Sequence, residues 1–217
     1  MANTISEKKI GTDIKNTDIL NLIKNNFEEL NHKTGIEMFR YVKLDEEINL
    51  IIEATKYADL ALEYLKEYAK EMINKNVSER ELVQICTEYA KNKMLNNISK
   101  EFDETPCNVV ATIHSGPRGA YPHGKSLSRV PNKNETLICG VGACLGGVYA
   151  ESGVTFILGE PNEDQKKIIK VMKEVNDEVV NNLKEGFICE DINKVASNIY
   201  NNYGLSKFVR HRIGHGM

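Results

Sequence analysis

The spacing of hydrophobic positions changes character along this chain. From Asp45, the residues Ile48, Ile51, Ile52, Thr55, Ala58, Leu62, Leu65, Ala69 and Met72 recur at steps of three and four. That spacing lays one stripe along a helix and predicts a long one. Ser78-Glu79-Arg80-Glu81 then reads as a capping box ahead of Leu82, Val83, Ile85, Cys86, Tyr89 and Ala90, which predicts a second helix. Past Thr105-Pro106 the pattern shortens to β-type runs over 108–114, 135–141 and 147–158, separated by Gly, Pro, Ser and Asn. Ile168, Ile169, Met172, Val175, Val179 and Leu183, lying between Pro161 and Gly186, predict a third helix. Ile192, Val195, Ala196, Ile199 and Tyr203 before Gly204 predict a fourth. The order long helix, capped shorter helix, strand thus runs twice, and its second copy is expected to stop after its first strand. Residues 1–43 form a polar lead-in whose stretch Ile19, Leu20, Leu22, Ile23, Phe27, Leu30 predicts a short helix. Residues 44–217 form the main α+β domain.

Composition narrows the function classes. With 217 residues at 41% hydrophobic content, the chain can bury one sizeable core. A net charge of -3 and a pI near 6.0 supply no general attraction for nucleic acid or an anionic membrane, so a short peptide or other small molecule is the expected partner. Cys86, Cys107, Cys139, Cys144 and Cys189 are odd in number and contain no C-x-x-C pair, which favours reduced, mostly buried thiols over disulfides or a zinc knuckle. No apolar leader opens the sequence, and a cytoplasmic location is expected.

Two stretches carry a resemblance. The first runs from Ser115-Gly116-Pro117-Arg118-Gly119-Ala120-Tyr121-Pro122-His123-Gly124 through Cys139-Gly140-Val141-Gly142-Ala143 to Tyr149-Ala150-Glu151-Ser152-Gly153-Val154-Thr155. The second is His211-Arg212-Ile213-Gly214-His215-Gly216. In this order, and from about residue 40 onward, they resemble the catalytic domain of Xaa-Pro peptidases in the pita-bread family of methionine aminopeptidases, prolidases and creatinases. The resemblance implies a pita-bread fold, here a first α-α-β repeat plus an incomplete second one. It also implies a pair of divalent metal ions (Mn, Co or Zn) held by two Asp, one His and two Glu. Paired cations lower the pKa of a shared water and polarise the scissile carbonyl, and bridging carboxylates neutralise both charges.

Carried over residue by residue, Gly142-Ala143 places the first aspartate position at Gly140, which offers no ligand, and the second at Glu151, eleven residues on. Gly153-Val154 stands where the family has Thr-Arg. His215 matches the metal-binding histidine, His123 the histidine near the scissile bond, and His211 and Arg212 face the same cleft. The two terminal glutamates would fall beyond Met217, so Glu151 and His215 are two metal ligands where five are expected. The resemblance therefore implies a Xaa-Pro dipeptidase or aminopeptidase-like hydrolase with little or no peptidase activity. A metal-free amide or guanidino hydrolase resembling creatinase, with His123 as general base, is one alternative. A non-catalytic binding module of the same fold is the other.

Each residue also has a plainer reading. His123 sits beside turn-forming Pro122 and Gly124, and His215 could simply face solvent. Glu151, inside an apolar run, should be paired or functional. Gly140, Gly142, Gly146 and Gly147 lack the Lys-Ser/Thr of a phosphate loop and predict a close-packed hairpin. Tyr57, Tyr64 and Tyr68 are ordinary helix positions. Because the second repeat is incomplete, its helices should lack much of the sheet beneath them, and a homo-oligomer is expected.

Overall fold

The computed structural model describes residues 9–12, 14, 16–25, 27, 29–32, 39–72 and 75–216. The opening residues 1–8 and the terminal Met217 lie outside them. The chain divides into two units, Met1–Ile48 and Asn49–Met217.

In the first unit, β1 (Lys9–Thr12) pairs in parallel with β2 (Glu29–His32), and α1 (Thr17–Lys24) lies between them in sequence. The Asn16 side chain caps α1 by accepting from the N–H groups of Asp18 and Ile19. The helix ends before Phe27 and Leu30, and Leu30 belongs to β2, so the amphipathic stretch read from the sequence is part helix and part strand. Neither short strand has the alternation that reveals a β-segment.

The second unit contains most of α2 (Asp45–Met72), then α3 (Glu79–Asn97) and three antiparallel strands in the order β3 (Asn108–Ser115), β4 (Thr136–Leu145) and β5 (Val148–Ile157). The capping box forms as expected: Glu81 N–H donates to the Ser78 hydroxyl, and the Ser78 N–H donates to the Glu81 carboxylate at 2.8 Å. The buried stripe of α2 runs through Ala54, Tyr57, Ala58, Ala61, Leu62, Leu65, Ala69 and Met72. Ile48 and Ile52, which the spacing assigned to the stripe, are exposed. Leu82, Cys86, Ala90 and Met94 of α3 join these residues and the inward row Leu137, Cys139, Val141, Ala143 and Leu145 of β4 in one core. Burial pushes the Cys86 thiol up to about 11, and all five cysteines are free.

Alternation leaves the other sheet face open: Val110 and Thr112 on β3, Gly140 and Gly142 on β4, Tyr149, Glu151 and Gly153 on β5. β4 and β5 meet through Gly146 (φ +62°) and Gly147 (φ +81°), a two-residue turn of the primed type whose backbone favours glycine at both positions. A Cβ at Gly146 would also lie 3.0 Å from the Phe102 ring.

The helices α4 (Glu163–Asn182) and α5 (Cys189–Asn202) follow and pack on each other around Val171, Val175, Ala196, Ile199 and Tyr200, a core separate from the first. Asn162 caps α4, so Pro161 precedes the cap rather than opening the helix. Most of the expected α4 stripe is not covered: Ile168, Ile169, Met172 and Leu183 are exposed, and the buried residues are Val171 and Val175. No strand follows α5 among the described residues; Ser206–Phe208 is a short 3-10 turn. A strand needs a neighbour to satisfy its backbone groups, and this segment has none beside it in the sheet order. Among the described residues no helix is long and apolar enough to cross a membrane.

Candidate functional site

The site residues sit on a loop and a tail rather than on the sheet alone. Beyond β3 the chain makes a 3-10 turn, Gly116–Ala120, beginning at Gly116 with φ +52°. A Cβ there would lie 2.6 Å from the Glu135 carboxyl carbon, and together with the positive φ this favours glycine. The loop then reaches His123, whose φ of +59° is unusual for a residue with a side chain and costs about 1–2 kcal/mol. His114, buried on β3, hydrogen-bonds through Nε2 to the Gly124 carbonyl and pins the backbone beside it.

His123 and His211 come together, their ring centroids 5.9 Å apart and their planes tilted by 40°. His211 Nδ1 donates to the Arg212 carbonyl at 2.6 Å, which leaves its Nε2 as the free acceptor of a neutral ring. His211 and Arg212 also line a cavity of about 580 Å³ whose walls include Gly119, Pro122, Met172 and Tyr200. The four histidine and arginine assignments made from the resemblance thus gather in part: His123, His211 and Arg212 lie on neighbouring surface, and His215 pairs elsewhere.

His215 Nε2 lies 3.6 Å from Glu151 Oε2, joining the two residues matched to metal ligands. His215 Nδ1 donates to the Gly216 carbonyl at 3.0 Å. A neutral ring therefore turns a lone pair toward the carboxylate, and the contact is attractive only with a proton on that nitrogen or a cation between the two. Both side chains are about half exposed, so Glu151 is paired but not buried as its apolar neighbours suggested. Across the sheet, Gly142 is the β4 partner of Glu151, and Gly140 lies between Thr112 and Gly153. A Cβ at Gly140 would meet only the Thr112 hydroxyl, at an ordinary 3.5 Å. There is room for a side chain, and glycine is not forced by the backbone. Glu151 and His215 supply one carboxylate and one imidazole, and a pair of divalent cations needs further bridging carboxylates. Among the described residues no group of three or more His, Cys, Asp or Glu is gathered.

Beneath the loop lies a network that motif reading missed. Glu79, fully buried at the start of α3, accepts from the Ser115 N–H at 2.9 Å, the Ser115 hydroxyl at 2.7 Å, the Leu127 N–H at 2.9 Å and Arg118 Nε at 3.3 Å. Burial pushes its pKa up, but the bonds from Leu127 and Ser115 and the charge of Arg118 outweigh it and hold the carboxyl below the usual range. Arg129 extends the network by donating to the Ser115 hydroxyl and pairing with Glu135 at 2.6 Å. The Arg129 guanidinium, with help from Asn132, brings Glu135 down to about 2. Because that folded-state pKa is depressed, the stabilisation is fully present above about pH 4.5 and is lost as pH falls through 2. Glu135→Gln is therefore expected to cost about 1–3 kcal/mol at neutral pH and progressively less in acid, as measured by urea unfolding across pH 2–7.

Residues 49–217 match the family described as Metallopeptidase family M24. A Xaa-Pro dipeptidase of Pyrococcus horikoshii is 29% identical over 200 residues, which are 88% of this chain and 53% of that protein. The prolidase structure from Pyrococcus horikoshii OT3 superposes with a TM-score of 0.79 at 25% identity, covering 99% of this chain and 60% of that one. The Xaa-Pro dipeptidase structure from Bacillus anthracis gives 0.83 at 23% identity, covering 96% and 56%. The chain spans about half the length of the curated relatives it matches. These likenesses establish the pita-bread fold, with the first α-α-β repeat present and the second incomplete. The family match covers the strands with Gly140 and Glu151, the loop of His123 and the tail of His211 and His215, and on that ground the chain belongs to the M24 metallopeptidases.

Proposed function

We propose that this chain is a Xaa-Pro dipeptidase-type hydrolase in descent, that it takes short peptides or small amides at the His123–His211 surface, and that it does not run the two-metal reaction. The observation that carries this reading is Gly140: the first carboxylate position is empty of a side chain although the space for one is open. Glu151 keeps a charge near the second position, but its extra methylene and its contact with His215 give it one imidazole as company.

Purified protein dialysed against a weak chelator is expected to carry well below one transition metal per chain. Proline release from Xaa-Pro dipeptides with added manganese or cobalt is expected to be undetectable, and Gly140→Asp alone is expected not to restore it, since a two-metal site needs its ligands together. About two metals per chain by elemental analysis, or robust turnover by the unmodified protein, would overturn the proposal.

A second reading, a metal-free amide or guanidino hydrolase, is favoured by the histidine pair. His123 would take the proton of an attacking water as general base, and the free Nε2 of His211 lies on the same surface. Metal-independent hydrolysis of a small amide that disappears in His123→Ala would select it. Ligand binding with no turnover would select a non-catalytic binding module.

A further inference from the structure

The loop that carries His123 has both of its ends on one carboxylate. Glu79 Oε1 accepts from the N–H and hydroxyl of Ser115, where the loop leaves β3. Its Oε2 accepts from Arg118 in the loop's first turn and from the Leu127 N–H on the return. The backbone of the same helix start adds two bonds, Glu79 N–H to the Arg129 carbonyl at 2.9 Å and Arg80 N–H to the Leu127 carbonyl at 3.1 Å. Between the clasped ends, Arg118 also donates to the Lys125 carbonyl, and Ile113 N–H donates to the Ser126 hydroxyl at 2.8 Å. A left-handed backbone at a non-glycine residue persists only where its surroundings overdetermine it, and His123 stands at the crown of this tied loop.

We propose that Glu79 is the positioning residue of the site: it clasps both ends of the 116–126 loop and so holds His123 in its left-handed conformation against His211. The proposal rests on the reading that His123 belongs to the functional surface. A carboxylate is required because three of the four groups it meets are obligate donors, two backbone N–H groups and a guanidinium, and the Ser115 hydroxyl alone can reverse. Glutamine matches the shape but presents one oxygen and one NH2. Whichever way it turns, the NH2 faces a backbone N–H, and one end of the loop is released.

The test compares wild type with Glu79→Gln. In wild type the Ser115 and Leu127 amides are expected to exchange hydrogen slowly and together. In Glu79→Gln the Leu127 or the Ser115 amide is expected to exchange at least tenfold faster, tryptic cleavage after Lys125 to rise by a similar factor, and the His123 ring resonances to shift, while amides in the middle of α3 keep their protection. Two results in the variant overturn the proposal: an unmoved His123 signal with unchanged cleavage, or core amides that accelerate in parallel with the loop. If the variant does not fold, wild-type exchange decides, and a Leu127 amide exchanging at the rate of a free loop overturns the clasp. Turnover and ligand binding are read separately. A loop that opens in a protein without activity or ligand upholds the clasp and removes the functional reading of His123.

Discussion

On a sizing column the 217-residue chain is expected to elute as a self-associated species, with a melt that depends on protein concentration. The cause is the apolar face of α4 that lines the cavity beside His211. Val171 and Val175 are buried, but Ile168 and Met172 beside them remain nearly half exposed, at 48% and 47%. The apolar cavity below is bordered by Val179, Leu205, Phe208 and Ile213, with no strand laid across it among the described residues. At about 25 cal/mol per Å², a few hundred Å² of apolar surface left in water forgoes ~5–10 kcal/mol, which rivals the whole stability of a domain. Covering that surface with a second copy recovers part of it. Ile168→Lys with Met172→Glu should shift the elution toward monomer. A compact wild-type monomer that melts cooperatively, at a temperature independent of concentration, would sink the expectation.

Removing the Glu79 side chain is expected to be the most destabilising single change at the start of α3. In Glu79→Ala the Ser115 and Leu127 N–H groups lose their acceptor, and Arg118 loses its counter-ion. Breaking a buried charged network from one side costs about 3–5 kcal/mol, because what is left behind stays desolvated. Its neighbour Ser78 makes the informative comparison. Ser78→Ala removes one capping hydroxyl, costs about 1 kcal/mol, and leaves the bonds of Glu79 to the loop in place. Urea midpoints for the two variants should therefore differ by several-fold in their displacement from wild type. Equal displacements would mean that Glu79 acts only as part of the cap.

That pair of residues also shows how much of the molecule was legible in the sequence. The role of Ser78 is local: a hydroxyl, a helix start and Glu81 three residues on, all within one turn. Glu79 looked like a helix-start acid because its partners are at positions 115, 118 and 127, and only the fold brings them near. The same division holds elsewhere. The α3 cap, the Gly146-Gly147 hairpin and the β-alternation of the middle third follow from short-range rules. The true face of α2 and the bare face of α4 depend on what lies opposite, which periodicity alone does not report. For the site, the resemblance put His123, His211 and Arg212 on one cleft with the metal ligands Glu151 and His215. The structure sets the rings of His123 and His211 5.9 Å apart and His215 3.6 Å from Glu151, two contacts that the sequence did not single out. The left-handed backbone of His123 was hidden, since nothing in Pro122-His123-Gly124 demands it of the histidine.

The two-glycine turn between β4 and β5 has a kinetic consequence. Leu145 and Val148 face each other across it, so this pairing can begin once those few residues exist and can form on the microsecond scale of hairpins. Bringing β3 alongside β4 requires closing the loop from Gly116 to Glu135, an additional entropic cost of about 2 kcal/mol for a flexible segment. The hairpin should therefore form early, and β3 should dock as the loop gathers its bonds to Glu79, so that assembling the His123 surface and completing the sheet become one late event.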